Sequence, residues 1–156
     1  MPDRLKLILS ILLCEAIGLL GTIFTVTPIQ EWYAFLNRPV FSPPNWVFGP
    51  VWTALYALMG ISLYLVVQAK ASKKKKQSAY FFFGSQLILN FLWSVGFFGL
   101  RSPLLGLGII VTLWGVIFLN IKAFTGISKN AAYLLVPYIL WVSFALLLNF
   151  AILWLN

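Results

Sequence analysis

Polar residues divide this chain into five long apolar blocks, Leu5–Val26, Trp46–Ala69, Ala79–Leu100, Leu104–Ala123 and Ala131–Leu155. Each approaches or exceeds the ~20 residues a helix needs to cross the hydrocarbon core of a bilayer. The pattern predicts an all-α membrane protein, a five-transmembrane-helix bundle forming one integral-membrane domain over residues 1–156. The first block is long for the apolar part of a secretory signal peptide. It carries Glu15 in its middle and lacks a small-residue cleavage site, so it reads as a retained span.

The longest connector, residues 27–45, reads "TPIQEWYAFLNRPVFSPPN". Pro28, Pro39, Pro43 and Pro44 stiffen it, and Ile29–Asn37 is predicted to form a short amphipathic helix presenting Trp32, Phe35 and Leu36. A stiff aromatic loop of this length either anchors at the membrane interface or closes a bundle as a lid. The lid candidates are Trp32, Arg38, Pro43, Pro44 and Trp46.

Composition agrees with the blocks. Hydrophobic residues make up 62% of the 156, against about 45–50% in soluble domains, and a chain this short has too little interior to hide them. The net charge of +8 does not mark a nucleic-acid binder, because it lies in short connectors. The end holding the N-terminus and the 70–78 and 124–130 loops carries Arg4, Lys6, Lys70, Lys73, Lys74, Lys75, Lys76, Lys122 and Lys129. The other end has Arg38 and Arg101. That asymmetry predicts a cytoplasmic N-terminus and an outside C-terminus; the membrane is expected to be a prokaryotic cell membrane. The "KASKKKK" run at 70–76 reads as an orientation signal that also meets anionic headgroups. Five spans do not halve into inverted repeats, and no internal repeat is visible.

The chemical inventory is short. Cys14 is the one cysteine and histidine is absent, which removes the commonest metal ligand and the usual haem ligand. No metal site, triad, paired carboxylates or phosphate loop is expected, and no cofactor is required. Polar groups inside spans are costly and therefore informative. Gln86, Asn90 and Trp93 share one face of the third span, extended by Phe97; Trp141, Ala145 and Asn149 follow one another on the fifth; Trp52 and Tyr56 are one turn apart on the second. These faces either line an apolar cavity with a few polar handles or bond the helices together. Pro50 falls in the first turns of its span, where it is tolerated. Pro137 is predicted to kink the fifth span just before Trp141. Glu15, the one acid inside a span, reads either as a proton or cation site or, with no basic partner in another span, as a side chain hydrogen-bonded between helices.

"EWYAFLNRPVFSPPNWVFGPVWTALYALMGISLYLV", "GSQLILNFLWSVGFFG" and "PYILWVSFALLLNFAILWLN" resemble, in order, the first loop and second helix, the third helix and the fifth helix of the translocator protein family, also called tryptophan-rich sensory proteins. The resemblance implies a five-helix bundle, often a homodimer, whose ligand cavity is capped by the first loop. It implies a porphyrin such as protoporphyrin IX, or another flat apolar molecule, as ligand. Trp52, Tyr56, Asn90, Trp93, Trp141 and Ala145 match the family's cavity positions, and Trp32, Pro43, Pro44 and Trp46 match its lid. Light-dependent porphyrin degradation by Trp52 and Trp141 is an alternative activity implied by the same resemblance, and a regulatory scaffold without transport is a third. The family's sterol motif is missing from "LNFAILWLN", which argues against sterol binding there. The third-helix small-xxx-small pair falls at Phe81 and Ser85, which argues against a close dimer contact at that place.

Overall fold

The computed structural model describes residues 2–156. Its helices are α1 (Asp3–Glu31), α2 (Phe48–Gln68), α3 (Lys73–Ser94), α4 (Pro103–Thr125), α5 (Lys129–Leu134) and α6 (Val136–Leu155). Five stretches are long and apolar enough to cross a membrane, Asp3–Phe35, Asn45–Gln68, Lys73–Gly99, Pro103–Thr125 and Lys129–Leu155. The chain is a multi-pass membrane protein.

Local sequence sets the helix starts. Ser72, Ser102 and Ser128 each accept a hydrogen bond from the backbone N–H three residues on, at the heads of α3, α4 and α5. Pro103 takes the first position of α4, where a missing N–H costs nothing. The fifth span breaks at Leu135, with Pro137 in the first turn of α6. That is the interruption its position predicts.

Two boundaries differ from expectation. α1 runs on to Glu31 rather than stopping near Val26, with Pro28 buried inside it. A proline loses its own N–H bond and crowds the carbonyl one turn back, but the helix resumes beyond it, and Trp32 N–H bonds Pro28 O at 2.9 Å. The predicted helix over Ile29–Asn37 is therefore not a separate element. Ile29–Glu31 finish α1, Tyr33–Phe35 make a single 3₁₀ turn, and Leu36 is extended. Pro39 disfavours helix in the residue before it, which keeps the segment from winding further. Phe35 is exposed, as a side chain resting on the membrane surface would be, and Tyr33 points into the bundle.

The helices form a ring in which α1 packs on α2 and α3, α2 on α5 and α6, and α4 on α3, α5 and α6. α1 is peripheral, burying only Ser10, Cys14, Gly21 and Pro28. It comes close to α2 at Gly60, where an added Cβ would stand 2.5 Å from Ile11 Cα. Only glycine permits that approach.

The ends of the bundle differ in chemistry. At the lysine end, Lys76 Nζ donates to Val67 O at 2.9 Å and Lys75 Nζ to Gly126 O at 3.4 Å. Cations there satisfy the free carbonyls at the ends of α2 and α4. At the opposite, loop end, Arg101 pairs with Glu31 at 3.2 Å, and the Asn156 amide binds Asn37 N–H and O at 3.0 and 2.9 Å. These links hold the connector over the mouth of the bundle.

α3 ends in a wide π turn over Val95–Gly99. A π turn fits an extra residue into one circuit of the helix. It lets consecutive residues Phe97 and Phe98 both turn inward, at 2% and 4% exposed, forming the floor under Trp32 and Tyr33.

Candidate functional site

A cavity of about 230 Å³ lies between α1, α2 and α3 near the loop end. Trp52, Tyr56 and Trp93 form its aromatic wall and Asn90 supplies an amide. The Trp52 ring lies 5.7 Å from Tyr56, 6.4 Å from Trp93 and 6.3 Å from Tyr138. Four of the sequence-predicted positions thus surround one space.

The facing wall comes from α1, which the sequence reading had left out. Glu15, Gly18, Thr22, Thr25 and Ile29 line it. They follow each other at intervals of three and four, the spacing of one helix face. Glu15 is a cavity residue here, where a bond to a neighbouring helix had been expected. The signal was present in the sequence: an acid and a run of small and hydroxyl residues on one stripe of an otherwise aliphatic helix.

The remaining predicted positions do other work. Tyr56 Oη donates to Asn90 Oδ1 at 2.6 Å, Asn90 Nδ2 donates to Tyr138 Oη at 2.8 Å, and Tyr138 Oη donates to Gln86 Oε1 at 2.8 Å. Gln86 Nε2 reaches Met59 Sδ at 3.6 Å. Gln86 is therefore a fully buried interhelical tie and is absent from the cavity wall. Asn149 is a second tie, accepting from Trp93 Nε1 at 3.2 Å and donating to Pro103 O at 2.8 Å. Such bonds contribute roughly 0.6–2 kcal/mol each in a bilayer. Tyr138, the centre of the network, was not among the expected residues, although it stands on the buried face of α6.

Phe97, Ala145 and Asn149 line a second, much smaller void of about 20 Å³ under Tyr33. Phe48, Trp93 and Phe98 border both spaces and form the partition between them. Trp141 lines neither of these two voids. It packs edge-on against Phe48 at 6.2 Å and beside Phe144 at 5.3 Å. Its Nε1 is buried with no hydrogen-bond partner among the described residues.

The lid candidates divide as well. Trp32 rests edge-on against Phe97 at 5.6 Å. Tyr33, 1% exposed, is the deeper plug, set against Phe48 at 6.2 Å. Arg38 lies over the Tyr33 ring at 5.2 Å and donates from Nη1 to Asn45 Oδ1 at 3.1 Å. Pro43, Pro44 and Trp46 border an open depression on the connector's outer face.

The arrangement is an aromatic slot with one polar edge, fronted by a proline-stiffened loop. Known proteins repeat its sequence closely. The family model for the TspO/MBR family matches residues 10–155. The chain is 49% identical over 152 residues to the Tryptophan-rich protein TspO of Archaeoglobus fulgidus, covering 97% of each chain. It is 47% identical over 152 residues to the protein of the same name from Chlorobaculum tepidum, covering 97% of this chain and 96% of that one. To the human Translocator protein it is 36% identical over 123 residues, covering 78% of this chain and 73% of that one. On these matches the chain belongs to the TspO/MBR family.

Proposed function

We propose that the protein is a membrane receptor or carrier for porphyrins or similar flat apolar molecules, bound in the cavity between α1, α2 and α3. The observation that carries this reading is the aromatic wall of Trp52, Tyr56 and Trp93 beside the Asn90 amide. Ring faces stack on a macrocycle, and a mostly apolar wall with a few placed polar groups is how small-molecule sites are commonly built.

The cavity's 230 Å³ is below the ~300–1,000 Å³ of typical ligand sites. A tetrapyrrole therefore requires the cavity to widen on binding. The bilayer places the apolar ligand and its host in one solvent, and the lysine-rich end faces the cytoplasm by the charge asymmetry. Titration of the protein in nanodiscs with protoporphyrin IX, in the dark, tests the reading. Saturable tryptophan quenching that weakens in Trp52→Leu is the expected result; quenching unchanged in that variant puts the ligand elsewhere.

A second reading, light-driven porphyrin oxidation, is favoured by one observation. Trp52 stands on the cavity wall within 6.4 Å of three other aromatic rings, Tyr56, Trp93 and Tyr138, a path along which a photo-oxidised ring can be refilled. Loss of the porphyrin spectrum under illumination separates it from binding alone.

A further inference from the structure

A depression near the cavity lies on the outer face of the connector. It is an open bowl of about 670 Å³ bordered by residues 36–39 and 42–46, within the size range of ligand sites. Arg38 is its one charged residue. Among the described residues Arg38 has no carboxylate partner, since the ion pairs are Lys6–Asp3 and Arg101–Glu31. One guanidinium N–H is engaged by Asn45, and the fork has four more. Trp46 is 74% exposed at the rim. A cation beside an open indole face fits a flat molecule with carboxylates at one edge.

Asn45 borders both this bowl and the cavity below it. It opens the short 3₁₀ turn Asn45–Val47, directly after Pro44. Its side chain is fixed toward the bowl by the single bond from Arg38. A carboxylate is a stronger acceptor for a guanidinium than a neutral amide, so an arriving anion displaces Asn45 from Arg38. The opposite end of the cavity carries Glu15, a carboxyl group that offers an anion no counter-charge. The acidic edge of a ligand is therefore held at the loop end.

We propose that the bowl is a receiving site for the carboxylate edge of the ligand, and that Asn45 is a gate released when a carboxylate takes Arg38. The inference rests on the reading of the cavity as a tetrapyrrole site. It adds a route, through the connector instead of laterally from lipid, and a preference for free acids.

The test is stopped-flow tryptophan quenching in nanodiscs with protoporphyrin IX and with its dimethyl ester, which keeps the ring and lacks the charges. Arg38→Gln is expected to slow association of the acid by about tenfold relative to the ester; release of Asn45 speeds both ligands alike, so the acid-to-ester ratio is the quantity read. Asn45→Ala removes the gate and is expected to speed both ligands by about threefold or more. Should Arg38→Gln fail to fold, Arg38→Lys keeps the charge without the fork, and an intermediate slowing of the acid relative to the ester is expected. Acid and ester affected alike by the Arg38 substitutions, or unaffected, overturns the inference, as does Asn45→Ala with unchanged rates. Failure of both acid and ester to quench the wild-type protein at equilibrium defeats the cavity reading itself, and the inference falls with it.

Discussion

Gly18 of α1 lies so close beneath Tyr56 of α2 that a Cβ built on it would stand 2.5 Å from the ring's Cε2. The contact sets the width of the cavity, since both residues line it. Gly18→Leu is expected to push Tyr56 aside, stretch its 2.6 Å bond to Asn90 and fill the slot. Porphyrin affinity should fall at least about tenfold, while overpacking costs about 1–3 kcal/mol of stability. Equilibrium quenching and thermal denaturation in detergent measure the two effects, and unchanged affinity would place the ligand away from α1.

The Tyr56–Asn90–Tyr138–Gln86 chain makes an ordering testable. Tyr138→Phe removes a hydroxyl that both accepts from Asn90 and donates to Gln86, leaving two buried groups unpaired. Tyr56→Phe leaves one, Asn90 Oδ1. The loss of stability should therefore be larger for Tyr138→Phe, by about 1 kcal/mol. Ligand affinity should follow the opposite order, because Tyr56 lines the cavity and Tyr138 is wholly buried behind it. Thermal scans and titrations of the two variants side by side check both orders.

The five spans were legible because a bilayer demands length and apolarity, and both are written in the one-dimensional sequence. The α3 face was legible for the same kind of reason: Gln86, Asn90, Trp93 and Phe97 keep to a helical stripe, and all four are buried. The α6 face was misjudged by a rotation. Residues spaced four apart, such as Trp141, Ala145 and Asn149, drift about 40° per step around a helix of 3.6 residues per turn. The buried line alternates fours and threes through Tyr138, Val142, Ala145 and Asn149, which leaves Trp141 at its edge. The α1 wall was missed for a different reason. Its stripe is visible, but which helices flank it is a fact of packing that no local pattern encodes. The π turn at Val95–Gly99 likewise brings Phe98 inward against the simple helical register.

The connector's position depends on a side-chain amide. Asn156 accepts from Asn37 N–H and donates to Asn37 O, a paired contact resembling a backbone ladder. Asn156→Ala is expected to quicken hydrogen exchange at the Asn37 amide by about tenfold or more. The amides of the α2–α3 core should keep their rates. Unchanged exchange at Asn37 would mean that the aromatic plug of Tyr33 alone holds the loop.

Light-driven oxidation, if the protein performs it, should depend on one tryptophan and not on two. Trp52 stands on the cavity wall, whereas Trp141 lies behind Phe48. Electron or energy exchange with a bound ring requires near contact, and Phe48 occupies the space between. Under illumination Trp52→Phe should slow loss of the porphyrin spectrum by about tenfold or more, while Trp141→Phe should stay within about threefold of wild type. Equal losses in both variants would instead show that the partition opens when the ligand binds, bringing Trp141 against the macrocycle. Phe48→Ala separates these cases. Removing the partition should make Trp141 matter in a protein where it had not, so the double variant Phe48→Ala, Trp141→Phe should fall below Phe48→Ala alone.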